Sequence, residues 1–210
     1  MTANHRDVSR RTTVGVLASG RGSNLLALLE AQEAGRLEAA LRVVISDVAE
    51  AKALDHARRH GVEALHIPPG PFKTRLGEAE ERAYVQALEK RGVDLVVLAG
   101  FMRVVHAPFF EAFRGRIINI HPSLLPSFPG LKAQRQALEH GVKMSGCTVH
   151  FVEQQVDAGP IIAQAAVPVI DGDTEETLSA RILHEEHRLI VEAVNLVASG
   201  RVRVRQARAG

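Results

Sequence analysis

The run Leu95-Val96-Val97-Leu98-Ala99, entered from Asp94, has no polar residue and no alternation. A valine-rich run this short reads as a strand covered on both faces, which requires helices on either side of a sheet. The flanking sequence supplies them. Val14 to Ala18 is a second apolar run ending in glycines, and Asn24 to Gly35 carries leucines and alanines at helical spacing. Arg42 to Ser46 and Ala64 to Ile67 repeat the strand pattern, with helical stretches at Glu50 to His60 and Glu78 to Lys90. Alternation at helix length implies parallel strands joined by right-handed crossovers. The predicted fold class is therefore α/β, a doubly wound, mostly parallel open sheet of Rossmann-like type.

The second half predicts a mixed part and a long C-terminal helix. Arg116 to Ile120 reads as a strand stopped by Pro122, and three prolines and a glycine between Pro122 and Gly130 predict an ordered irregular loop. Ala133 to His140 reads as a short helix, and Thr148 to Val152 and Ile161 to Val169 as two antiparallel strands. Asp173-Thr174-Glu175-Glu176 is an acidic capping pattern opening an amphipathic helix to about Ser199. The expected organisation is a flexible tail at 1–12, a single domain at 13–200 with halves 13–105 and 106–200, and a basic tail at 201–210.

Charge narrows the partners. The chain has 210 residues, a pI near 9.0 and a formal charge of +2. Its first twelve residues carry +2 and its last ten +4, which leaves the body between them at −4. With one tyrosine, no tryptophan and an acidic body, a nucleic-acid surface is not expected. No apolar run approaches the ~20 residues that cross a bilayer, and the start lacks a signal-peptide core. A single cysteine, Cys147, fits a reducing compartment, so a cytoplasmic protein is expected, with no membrane partner and no structural zinc.

Open sheets of this kind bind ligands beyond the carboxyl ends of their strands. Ser19-Gly20-Arg21-Gly22-Ser23-Asn24 follows the first strand and opens a helix, where free amides and the helix dipole attract an anion. It reads either as a phosphate loop or as a plain tight turn. Leu25 stands where the dinucleotide fingerprint wants its third glycine, and Asp47 imitates that fingerprint's ribose acid but reads as a solvated strand end. Ala99 to Val105 could line a slot for a flat ring or simply cover the sheet.

In Ile117-Ile118-Asn119-Ile120-His121-Pro122 the alternation puts Asn119 and His121 on one face, a site or a satisfied buried pair. A carboxylate would orient that histidine, and Asp157, in the turn Asp157-Ala158-Gly159-Pro160, is the best candidate. No serine sits on a nucleophile elbow. Ser123 reads as a loop cap, and His184 with His187 reads as helix surface because a third metal ligand is not apparent.

Residues 117–130, Ile-Ile-Asn-Ile-His-Pro-Ser-Leu-Leu-Pro-Ser-Phe-Pro-Gly, together with Asp157-Ala158-Gly159-Pro160-Ile161, resemble the signatures of the formyltransferases that use 10-formyltetrahydrofolate. Ser19 to Leu25 and Ala99 to Arg103 narrow the likeness to the branch whose acceptor is glycinamide ribonucleotide, an intermediate of purine synthesis. The resemblance runs from about Val14 to Val202. It implies direct formyl transfer to a primary amine, with 10-formyltetrahydrofolate as co-substrate and no metal. It implies Asn119, His121 and Asp157 as catalytic residues, and Gly22, Ser23, Asn24, Arg75 and Glu186 as nucleotide ligands. Met102, Arg103, Val104, Val105, Val152 and Asp157 would line the pterin slot. Leu183 departs from the lysine that some members carry there, which would shift phosphate binding onto the loop amides and Arg75. The partners this reading allows are small-molecule substrates and a second copy of the chain. Chain length disfavours a methionyl-tRNA formyltransferase or a formyltetrahydrofolate deformylase. A non-catalytic nucleotide-binding module is the reading from another class.

Overall fold

The structure is a computed structural model and describes residues 10–204. Seven strands form one sheet: β1 (Thr12–Leu17), β2 (Ala39–Ser46), β3 (Glu63–His66), β4 (Leu95–Leu98), β5 (Ile117–His121), β6 (Met144–Phe151) and β7 (Ile161–Pro168). The helices are α1 (Ser23–Glu33), α2 (Lys52–Arg59), α3 (Glu78–Glu89), α4 (Ala107–Phe113), α5 (Ala133–Glu139) and α6 (Glu175–Ala198). Strand order is β3-β2-β1-β4-β5-β6-β7. Pairing is parallel from β3 to β5 and antiparallel at β5–β6 and β6–β7, the mixed α/β sheet expected.

The central strands explain why the apolar runs do not alternate. In β4, Leu95 and Val97 join the core under α1, α2, α5 and α6, while Val96 and Leu98 join the core under α3 and α4. Each residue is apolar because each face is covered. On the second face Phe109 and Phe113 of α4 are buried, with Tyr84 of α3 tilted against Phe109 at 6.5 Å between ring centroids. Full burial of a side chain such as Phe109 contributes roughly 2–3 kcal/mol. Helix α4 was not predicted. Its seven residues show too few turns for a helical period, and the proline is admitted because it sits in the first turn.

Order reverses between β1 and β4: the chain runs outward from β1 through β2 to β3, then returns to β4 on the other side of β1. Open α/β sheets place their ligand crevice at such a switch point, beyond the carboxyl ends of the strands. Helix α6 is capped by Thr174, whose hydroxyl accepts from Thr177 N, while Asp173 pairs with Arg181 at 2.8 Å. It spans 24 residues along the first core.

The expected tails fall largely on residues 1–9 and 205–210, outside the described residues. Where described, the ends are tied down. Arg10 Nη2 donates to both oxygens of Asp94 at 2.9 Å, Thr12 already belongs to β1, and Val202 and Val204 pack on the core. Strand β6 starts at Met144, four residues before the predicted Thr148, because antiparallel pairing with β7 extends it. Among the described residues no helix is long and apolar enough to cross a membrane.

Candidate active site

Strand β5 carries the polar pair. Ile118 and Ile120 enter the first core, so Asn119 and His121 lie on the opposite face, at the carboxyl edge. The neighbouring strand adds a third polar side chain. Asn119 stands directly opposite His150 of β6, and its Nδ2 lies 3.2 Å from His150 Nε2. His150 is buried, and its Nδ1–H donates to the Phe151 carbonyl at 2.9 Å, while Nε2 lies between the Asn119 amide and Asp157.

Asp157 completes the cluster from the turn after β6. Its Oδ2 is 3.4 Å from His121 Nδ1, and its Oδ1 is 3.6 Å from His150 Nε2. Two features of the turn hold it there. Asp157 adopts φ 54, a left-handed conformation that aspartate tolerates better than most residues. Gly159 passes so close to β6 that a Cβ would stand 1.9 Å from the Phe151 carbonyl oxygen. The Gly130 N–H donates to Asp157 Oδ2 at 2.8 Å. Burial alone would raise the Asp157 carboxyl, but the His150 ring, the Gly130 amide and the charge of His121 outweigh it and hold the group below its ordinary value.

His121 faces acceptors on both sides. Nε2 lies 3.0 Å from the Phe128 carbonyl, and Nδ1 faces Asp157. The ring is thus flanked by an acceptor on each side. The proline-rich loop is fixed beneath it: Thr148 Oγ1 donates to Ser123 O at 2.7 Å and accepts from Leu125 N at 3.0 Å. The expected cap at Ser123 is present, its hydroxyl donating to Ser127 O at 2.6 Å.

The second group of expected residues lies where β1 exits. Gly22 is the N-cap of α1 with φ 72, and a Cβ on it would meet Ala53 at 2.8 Å, so only glycine fits. The first turn of α1 holds no acid, and no side chain caps its amides. Those N–H groups are therefore free to meet an anion. The Asn24 side chain is engaged inward: its Nδ2 donates to Glu186 Oε2 at 2.9 Å, and its buried Oδ1 has no hydrogen-bond partner among the described residues. Burial raises the Glu186 carboxyl, partly offset by that bond. Leu183, where the lysine would stand, is half-buried on the same helix.

Between these two groups runs the segment after β4. Ser19 N donates to Gly100 O at 3.0 Å, and Met102 N donates to Ser19 Oγ at 2.8 Å, which joins the β1 and β4 loops. Met102 and Val104 are exposed, Val105 is buried in the second core and Val152 packs against that core. Val105 therefore offers only its backbone. The Arg103 guanidinium is not free either: it is bound to Asp47 and to the Phe72 and Lys73 carbonyls. Asp47 is thus buried and paired, not the solvated strand end expected. Arg75 is exposed, stacks over the Phe72 ring at 3.6 Å and pairs with no carboxylate among the described residues. A groove of about 750 Å³ between α1 and α6, lined by His184, His187 and Arg188 among others, includes none of the expected site residues. Among the described residues no group of three or more His, Cys, Asp or Glu could hold a metal ion.

The family profile described as formyl transferase matches residues 12–194. The chain belongs to the formyl transferase family. It is 40% identical over 191 residues to phosphoribosylglycinamide formyltransferase of Escherichia coli strain K12, covering 91% of this chain and 89% of that one. It is 46% identical over 195 residues to the human trifunctional purine biosynthetic protein adenosine-3, covering 93% of this chain but only 19% of that protein's length. Among solved structures, glycinamide ribonucleotide transformylase 1 from Symbiobacterium toebii superposes with a TM-score of 0.90 at 53% identity, over 98% of this chain and 97% of that one. The formyltransferase fold expected from the motifs is the fold of these relatives.

His150 is the member of the cluster that the sequence did not disclose. Its signal was present but conditional: it lies opposite Asn119 only once β5 and β6 are paired in this register. Asp47 became informative in the same way, through a partner 56 positions away.

Proposed function

We propose that the chain transfers the formyl group of 10-formyltetrahydrofolate to the amine of glycinamide ribonucleotide, giving formylglycinamide ribonucleotide and tetrahydrofolate. The observation that carries this reading is the Asn119–His150–Asp157–His121 cluster facing the open start of α1. Neighbouring strands are about 4.8 Å apart, so the ends of β1 and β5, with β4 between them, lie about 10 Å apart. That span suits a nucleotide whose phosphate sits on the Gly22, Ser23 and Asn24 amides while its amine reaches Asn119 and His121. Arg75 adds a cation for the phosphate, and Glu186 faces the ribose and amino end. The exposed Met102 and Val104, the backbone of Arg103 and Val105, and Val152 to Asp157 form the pterin slot. In this reading residues 13–105 supply the phosphate-binding wall of the cleft and residues 106–200 the catalytic wall, while Met102 to Val105 cross to the folate side and Glu186 to the nucleotide side.

The amine nitrogen attacks the formyl carbon, and the carbonyl oxygen becomes an oxyanion. The Asn119 amide and the His121 imidazolium donate to it, the oxyanion taking the place of the Phe128 carbonyl on the ring. Asp157, held ionised, orients the His121 ring and accepts the proton that the amine releases, directly or through one water. Collapse expels N10 of the folate, which takes that proton from Asp157, directly or through the same water, and leaves the carboxylate ionised again. Donors prepositioned for a developing oxyanion each contribute roughly 3 kcal/mol to such a reaction.

The test is an acceptor comparison. Purified protein with 10-formyltetrahydrofolate is offered glycinamide ribonucleotide, methionyl-tRNA or water alone, and tetrahydrofolate release is followed. Release that depends on glycinamide ribonucleotide is expected. Equal release with water alone would make the protein a hydrolase and end this reading.

A further inference from the structure

Asp47 stands at the exit of β2, and its side chain is 1% exposed. A carboxylate this deep is costly unless fully partnered, yet one oxygen, Oδ1, has no hydrogen-bond partner among the described residues. The other accepts from Arg103 Nε at 2.7 Å. The same guanidinium reaches outward, where Nη1 donates to the Phe72 carbonyl at 2.8 Å and to that of Lys73.

The segment it grips has little else to hold it. Between β3 and α3 the chain runs Pro68-Pro69-Gly70-Pro71 into Phe72-Lys73-Thr74-Arg75, and three prolines remove three backbone donors. Its ends are fixed by Ile67 N to Ser46 O at 3.0 Å, the Tyr84 hydroxyl to Ile67 O at 2.6 Å and Gly77 N to Pro69 O at 3.3 Å. Between those ends, one backbone bond joins it to the rest of the molecule, Val104 N to Thr74 O at 2.9 Å, where Arg75 and Val104 form a one-residue parallel bridge. The remaining hydrogen bonds to residues 72–75 come from Arg103.

We propose that Asp47 and Arg103 form a positioning clamp: Asp47 anchors the Arg103 guanidinium to the sheet edge, and the guanidinium holds Phe72 to Arg75 against Met102 to Val105. One ion pair thereby sets the separation between an exposed cation and an exposed apolar wall. Resting on the reaction proposed above, the clamp fixes Arg75 toward the nucleotide and Met102 and Val104 toward the folate without touching either substrate. The Arg103 side chain then acts through its neighbours, as a positioning group, and only the backbone of Arg103 faces the folate.

Lys73 and Arg75 provide a reporter that does not depend on catalysis, since both are exposed trypsin sites within the gripped segment. Arg103→Met removes the grip but leaves Asp47 unpaired and buried. The double variant Asp47→Ala/Arg103→Met removes both charges and is the control for folding. In the double variant, cleavage after Lys73 and Arg75 is expected to accelerate at least tenfold under native conditions. The KM values for both glycinamide ribonucleotide and 10-formyltetrahydrofolate should rise about tenfold, with kcat within threefold and an unchanged pH profile. Unchanged cleavage, or a fall in melting temperature with both KM values intact, would overturn the clamp. So would a rise confined to the folate KM, which marks Arg103 as a direct ligand. If the wild type fails to formylate glycinamide ribonucleotide, the functional reading falls and proteolysis alone decides whether the clamp exists.

Discussion

Asn24 and Glu186, 162 positions apart, share one buried hydrogen bond of 2.9 Å that joins the start of α1 to the middle of α6. Glu186 is where the nucleotide's acid ligand was expected, yet in the free protein its carboxylate already serves the loop that would take the phosphate. Burial raises its carboxyl, so the ionised form opposes folding. The stabilisation is fully present below the unfolded value near 4.5 and is lost as pH rises through the higher folded value. Glu186→Gln should therefore raise the melting temperature at pH 7 and flatten its decline above pH 4.5. The same variant should raise the KM for glycinamide ribonucleotide about tenfold, the cost of one hydrogen bond to a charged group. A pH series of thermal melts and steady-state kinetics check both halves.

Asp157 carries the opposite sign. Its folded value lies below the ordinary 3.8 despite burial, because the His150 ring, the Gly130 amide and the charge of His121 favour the anion. Its contribution to stability is present above pH 3.8 and is lost as pH falls through the folded value. Asp157→Asn should remove that part of the acid sensitivity in melts from pH 2 to 5. At pH 7 it should lower kcat by about three orders of magnitude while nucleotide binding, measured by calorimetry, changes less than threefold.

Removing an oxyanion donor should act on turnover. Asn119→Ala and His121→Ala are each expected to lower kcat about 100- to 1000-fold with small changes in KM. Because both act on one charge, the double variant should lose less than the product of the two single losses.

Gly22→Ala tests the helix start. A left-handed φ of 72 and a Cβ 2.8 Å from Ala53 make the substitution strained as well as crowded. A loss of about 1–2 kcal/mol in denaturant unfolding is expected. The KM for the nucleotide should rise, since the amides of Ser23 and Asn24 move with the cap, while the folate KM stays within twofold.

Much of this was legible because the fold advertises itself locally. Strand β4 is apolar without alternation since both its faces are covered, and the glycines around Arg21 mark a strand-to-helix turn. Asn119 and His121 stood out because two polar residues on one face of an apolar strand need partners. Helix α4 was missed, being two turns long with a proline at its start. His150, and the burial of Asp47, were invisible for a different reason. Their meaning depends on who faces them, and the faces are set by pairings that local pattern does not encode.

The pairing of Asn119 with His150 across antiparallel strands ties catalytic competence to the assembly of the sheet's far side. A chain that had formed only its first parallel strands and their helices would own the anion-binding turn but not the donor cluster. Such a half-built molecule would lack Glu186 of α6 as well as the donors. Regain of turnover after dilution from denaturant is therefore expected to follow closure of the final two strand ladders, making formylation an optical clock for it.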